Sequence, residues 1–310
     1  MHLSTPPLLL LASLALGCSE SNSSAAPASN NIETGTDSGA SVLDPCAKDI
    51  NPPADGAVCV ATVSGRFVDL NGTPAHDGFG VSVCGFVCIN GETDADGYFS
   101  VDIGRYLVLS EFSTLPHGRP LLAGYYFPLP DTADSSDIDV GQLAYVPLPE
   151  SGAALDLLGT TEQQLESEGV RLVLAAGTQT KLAFEDLLEG ELGAQFRAVE
   201  VSPTQFEAVR VSEYNFSSLH AVGPFEASFT NESDTPITIA PILPNSSGLP
   251  AGSAVEILAQ GSYLYPEWLK PARFEVVSLG QVSDDGASIS FDTGGGVEHL
   301  TWLGVRPVTP

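Results

Sequence analysis

The sequence predicts an all-β protein, two β-sandwich domains behind a signal peptide and a disordered tether. Three observations predict it. The 310 residues include 31 Gly and 23 Pro, residues that punctuate short strands rather than long helices. Short β-branched and aromatic runs alternate with polar residues along most of the chain. Asn71-Gly72, Asp96-Gly97 and Asp285-Gly286 fall between such runs, and these pairs tolerate the positive φ that tight turns between strands require. A chain of this length has room for about two domains.

At the N-terminus, Leu8 to Leu16 is an apolar run too short to span a bilayer, followed by Gly17-Cys18 and a polar tract; residues 1–17 read as a signal peptide. Ala15-Leu16-Gly17-Cys18 resembles a bacterial lipobox. The resemblance implies a diacylglycerol on the Cys18 thiol and a protein exported and lipid-anchored in the bacterial cell envelope, at the outer membrane; the alternative is an ordinary secretory signal and a secreted product. From Cys18 to residue 45 the composition is mostly Ser, Asn, Ala and Gly. Such a segment has too little apolar surface to offset its ordering entropy and predicts a flexible linker.

Four further cysteines, Cys46, Cys59, Cys84 and Cys88, fall in the first domain, residues 46–150. An even count in an exported chain implies two disulfides. Of the three pairings, Cys46 with Cys59 and Cys84 with Cys88 is favoured: one pins the first strand to the segment before it, the other closes the loop Gly85-Phe86-Val87. A four-cysteine metal site is the alternative.

Within this domain Val63 to Val83 and Thr93 to Ile103 hold three strand-like runs. Their order, Asp69-x-Asn71-Gly72-x-Pro74, Gly78-x-x-Val81-x-Val83, then Thr93-Asp94-x-Asp96-Gly97-x-Phe99, resembles the carboxypeptidase regulatory-like module. That resemblance implies a transthyretin-like sandwich lying outside any catalytic domain, a scaffold without peptidase chemistry. Tyr106 to Phe112, Leu121 to Leu129 and Ile138 to Leu148 complete the expected sandwich.

Residues 151–168 read as a linker or short amphipathic helix, and 169–310 as a second sandwich. Its predicted strands include Val170 to Ala176, Phe196 to Val201, Glu207 to Val211, Phe225 to Phe229, Ile237 to Ile242, Val255 to Gln260, Phe274 to Val282, Ser288 to Phe291 and Leu300 to Val305. The segment Leu249-Pro250-x-Gly252, Trp268, Val282-Ser283-x-Asp285-Gly286 and Trp302 resembles a β-sandwich module recurrent in large bacterial surface proteins.

Thirty-nine acidic residues face 11 Lys and Arg, a net charge of −28, which repels phosphate backbones and anionic membranes. Nucleic acid is therefore excluded as a partner, and membrane attachment falls to the lipid. Glu92, Asp94 and Asp96 stand at alternate positions before Gly97 in the manner of a calcium loop, but the twelfth position is Ile103 where a bidentate Glu is needed; they read as turn residues and only a weak calcium candidate. No His-Glu-x-x-His, Gly-x-Ser-x-Gly or phosphate loop occurs, so no catalytic residue, metal or cofactor is assigned. Tyr263 and Tyr265 are a weak candidate platform for sugar rings, while Trp268 and Trp302 read as core. The expected role is non-enzymatic: presentation of β-sandwich modules to an envelope protein or glycan. The alternative is a carbohydrate-binding or accessory subunit of a secreted hydrolase.

Overall fold

The computed structural model describes residues 44–49, 53–85, 87–117, 120–131 and 136–308. The expected signal peptide, the expected lipidation site Cys18 and the expected linker as far as residue 43 lie outside the described residues. The chain divides into two units, Met1–Val42 and Leu43–Pro310, and every described residue belongs to the second. Among the described residues no helix is long and apolar enough to cross a membrane.

The all-β expectation holds. The first half forms two sheets from β1 (Val58–Val68), β2 (Gly80–Cys84), β3 (Cys88–Glu92), β4 (Tyr98–Leu107), β5 (Ser113–Pro116), β6 (Phe127–Pro128) and β7 (Asp137–Ala144). One sheet has the order β4-β1-β7 and the other β3-β2-β5-β6. In β4, Phe99, Val101 and Ile103 are buried while Tyr98, Ser100 and Asp102 are exposed, the period of two that a one-sided sheet requires. Both favoured disulfides are present, Cys46–Cys59 and Cys84–Cys88; the second links directly opposed residues of the β2–β3 hairpin.

The second half contains β8 (Ala153–Ala154), β9 (Gln163–Ser167), β10 (Val170–Leu174), β11 (Gln179–Lys181), helix α1 (Phe184–Leu188), β12 (Gln195–Val201), β13 (Ser218–Gly223), β14 (Ser228–Thr230), β15 (Leu243–Pro244), β16 (Ala254–Gln260), β17 (Phe274–Val282), β18 (Ser288–Phe291) and β19 (Leu303–Pro307). Eight of these strands make one sheet, β15-β18-β17-β16-β19-β13-β12-β8. Alternation along its strands sends Val201, Leu219, Ala221 and Trp302 into a core that is continuous with the first half. The intervening residues, among them Phe196, Val222, Ile257 and Leu303, enter a second core on the opposite face. Both faces of this sheet are thus covered, and all six residues of β13 are buried.

Several sequence expectations are corrected. In residues 151–168 the chain makes strands rather than a helix: β9 pairs with β10 across the two-residue turn Glu168-Gly169, where φ is +47° and +79°. Positive φ at both turn positions suits a tight hairpin and cannot continue a helix. Ile237 to Ile242 makes only isolated bridges, Ile239 to Val297 and Ile242 to Arg171, and the apolar spacing of Glu207 to Val211 builds no strand. Backbone bonds from Arg210 N to Glu207 O at 3.0 Å and from Val211 N to Phe206 O at 2.9 Å close turns that bury Val209 and Val211 completely.

The halves meet along Ala123 to Leu129. Trp302 Nε1 donates to Gly124 O at 2.7 Å, and its ring lies 4.6 Å from that of Tyr125. The Gln260 side chain accepts from Tyr126 N at 3.3 Å and donates to Tyr126 O at 3.1 Å, copying with an amide what a neighbouring strand would supply. A Cβ at Gly124 would stand 2.4 Å from the Phe225 ring, so the close approach requires glycine.

Candidate functional site

Alternation in β2 sends Val81 and Val83 into the first sandwich and turns Ser82 to the outer face of its sheet. That face is roofed by the second half, and between them lies a cavity of about 440 Å³. The first half contributes Ser82, Asn90, Leu115 and His117, together with the Cys84–Cys88 bridge. The second half contributes Phe184, Glu226, Tyr263 and Leu264. Asn90 is directly opposite Ser82 in the β2–β3 register, and His117 follows β5, its N–H donating to Gly80 O at 2.8 Å. Ser82, Asn90 and His117 are therefore neighbours by sheet geometry although 35 residues separate the serine from the imidazole.

The Ser82 hydroxyl donates to Asn90 Oδ1 and contacts His117 Nε2. A serine and a histidine in contact at a cavity invite a test for nucleophilic catalysis. One observation argues against it. Ser82 is 0 % exposed, so no substrate carbonyl reaches Oγ.

On the opposite wall Glu226, 3 % exposed, accepts from the Tyr126 hydroxyl at 2.6 Å and from Ser262 Oγ. Its backbone adopts φ +66°, a conformation unusual for a residue with a Cβ and sustained by its surroundings. Tyr263 exchanges a hydrogen bond with Ser113 Oγ at 2.8 Å and meets Tyr126 edge to face at 4.9 Å. Burial pushes its hydroxyl up to about 12, the Ser113 bond and Arg273 pulling the other way. Tyr263 is therefore held neutral, its hydroxyl tied to Ser113 and its ring to Tyr126.

The mouth carries two large apolar side chains beside the exposed Glu185 carboxylate. Phe184 is 71 % exposed and Leu264 58 % exposed, and both line the opening. Isolated exposed apolar residues are ordinary, but large ones grouped at a cavity mark an interaction surface.

Of the aromatic pair singled out in the sequence, Tyr263 belongs to this cavity and Tyr265 does not: Tyr265 stacks on His299 at 4.5 Å. Trp302 is completely buried, and Trp268 packs partly buried against the core beyond the sheet. The Glu92, Asp94 and Asp96 carboxylates do not converge. Asp94 Oδ1 accepts from Asp96 N and Tyr98 N, each at 2.9 Å, and Gly97 takes φ +79°, closing the turn before β4. Among the described residues one trio of potential ligand atoms does converge, Asp44 with Cys46 and Cys59, and its sulfurs are joined in a disulfide.

Sequence reading missed Ser82, Asn90, His117, Tyr126 and Glu226. The one signal for any of them was Ser82 itself, a polar residue between two valines, which marks a face rather than a site. A scan against protein-family models finds no match for this chain, and a search of curated proteins finds none.

Proposed function

We propose that this protein is an exported, lipid-anchored envelope protein that acts by binding rather than catalysis, with the seam cavity and its mouth as the contact surface for a protein partner. The observation that carries the reading is the cavity itself: a preformed opening of about 440 Å³ in which Ser82, beside His117, is completely buried, and whose rim exposes Phe184 and Leu264. The two disulfides support the exported setting, because such bridges persist in oxidising compartments. The lipobox-like Ala15 to Cys18 supports the anchor.

The full chain, used as bait in an envelope extract, is expected to retain a partner that Leu264→Arg loses; Leu264 is exposed enough for the substitution to leave folding intact. Turnover of ester or peptide substrates by the purified chain, abolished by Ser82→Ala, would overturn the reading. A glycan partner is the second reading, favoured by the placement of Tyr263 and Asn90 in one cavity. It requires glycan-array binding that Tyr263→Ala removes and Tyr265→Ala leaves in place.

A further inference from the structure

Helix α1 is inside out. Its five residues, Phe184-Glu185-Asp186-Leu187-Leu188, carry apolar side chains at positions one, four and five, the spacing of a core-facing helix. Yet Phe184, Leu187 and Leu188 are 71, 57 and 69 % exposed while Asp186 is 1 % exposed. The cause lies beneath it. Arg197 is itself buried and donates to Leu192 O at 2.9 Å, Pro149 O at 3.0 Å and Gln195 Oε1 at 2.8 Å. Burial pulls the guanidinium pKa down and the nearby Asp186 charge opposes that shift. With Asp186 turned inward to this charge, residues two positions away stand about 200° around the helix, which turns Phe184 and Leu188 to solvent. The arrangement also needs Gly193, where a Cβ would lie 1.9 Å from Asp186 O. A five-residue helix does not persist by itself, so this outward face is imposed by the fold.

The exposed patch continues through Leu192, 37 % exposed, and is interleaved with the exposed carboxylates Glu185, Glu189 and Glu191. Between Lys181 and Arg197 the sequence has no basic residue. A second copy of the chain would bring like charges together in a symmetric contact, and an anionic membrane is repelled by the −28 charge of the whole. We infer that α1 and the 189–192 turn dock an amphipathic segment of a partner protein, with apolar anchors set on Phe184, Leu187 and Leu188 and flanking Lys or Arg over the glutamates. The inference rests on the binding reading above and names the chemistry of the partner at that mouth.

The test uses the full chain and a fluorescent 14-residue helical peptide with Leu at positions 3, 6, 7 and 10 and Lys elsewhere, titrated by anisotropy near 150 mM salt. The doubly substituted Leu187→Ser, Leu188→Ser chain is expected to bind about tenfold more weakly with unchanged thermal unfolding, since both side chains are exposed. The Glu189→Gln, Glu191→Gln chain is expected to bind more weakly and with a shallower salt dependence. Equal binding by the serine variant would reduce the interaction to bulk charge and overturn the inference. So would serine-sensitive flotation with phosphatidylcholine vesicles without peptide binding, which assigns the patch to lipid. If Leu264→Arg loses an envelope partner that the serine variant keeps, the binding reading stands and this inference fails. If neither variant changes capture, both fail.

Discussion

The eight-stranded sheet is covered on both faces, and the two covers are chemically unlike. On the face toward the first half, aromatic rings and directed hydrogen bonds dominate: Trp302 to Gly124 O, the Gln260 amide paired in both directions with Tyr126, and the Tyr126 hydroxyl on Glu226. On the far face the core is mostly aliphatic, with Leu172, Leu174, Val222, Ile257, Leu303 and Val305 completely or almost completely buried around Phe196 and Phe229. The polar groups there are differently placed. His220 points to this face by alternation with Leu219 and Ala221, and His299 lies against Trp268 at 4.6 Å; neither ring nitrogen of either imidazole has a hydrogen-bond partner. The seam is specified by direction, the far core by volume. The two faces tolerate change differently: apolar packing accepts swaps of similar shape, whereas a hydrogen bond across a buried seam accepts few.

The seam is most sensitive at Trp302. Truncation to Ala removes a fully buried indole that touches both halves and leaves Gly124 O without its donor. The expected loss is about 3–5 kcal/mol of unfolding free energy, read from chemical denaturation. If the seam holds the halves together, the far core should unfold in the same transition; a second, separate transition in this variant would show that the halves are independent.

Acid probes the far face. Burial lowers the pKa of His220 and of His299 from 6.5 to about 4. The unfolded chain therefore takes up these protons first, so stability falls as pH drops below about 6.5 and levels off below about 4. Each imidazole is expected to cost about 2 kcal/mol at pH 5 relative to pH 8. Protonation of the 39 carboxyl groups acts over an overlapping range, so the informative measurement is a difference. His299→Phe, which keeps a ring beside Tyr265, should lose about 2 kcal/mol less than the parent chain between those two pH values. An identical pH profile would show that His299 reaches solvent in the native state.

What could be read from the sequence follows from how each strand is covered. β4 has one solvated face, so its alternation announces both strand and inward residues, and Asp94 to Gly97 announces the turn before it. β13 has no solvated face. Ser218-Leu219-His220-Ala221-Val222-Gly223 carries no alternation and went unrecognised, although it lies between β19 and β12 in the sheet. The Glu168-Gly169 hairpin was hidden because leucines at 155, 157, 158 and 165 imitate a helical stripe. The cavity was less legible still. Tyr126 meets a carboxylate 100 residues away and Ser113 a phenol 150 residues away, and such pairs are created by the packing of one half on the other. α1 was misleading in principle, since its apolar spacing points inward until Arg197 and Asp186 are known to lie beneath it.

The finest distinction between the two faces is drawn by substitutions that keep volume. Gln260 and Ile257 lie on one strand, both 0 % exposed; Gln260 pairs with Tyr126 at the seam, while Ile257 faces the far core. Gln260→Leu preserves bulk but removes the amide's two hydrogen bonds to Tyr126 N–H and C=O, and is expected to cost about 1–3 kcal/mol. Ile257→Val removes one methylene from an aliphatic core that can close around it, at about 0.5–1.5 kcal/mol. Measured by urea denaturation on the same day and scale, the glutamine change should be the larger. The reverse order would mean that water reaches Tyr126 when the amide is gone, and that the seam is held by its aromatic rings rather than by its hydrogen bonds.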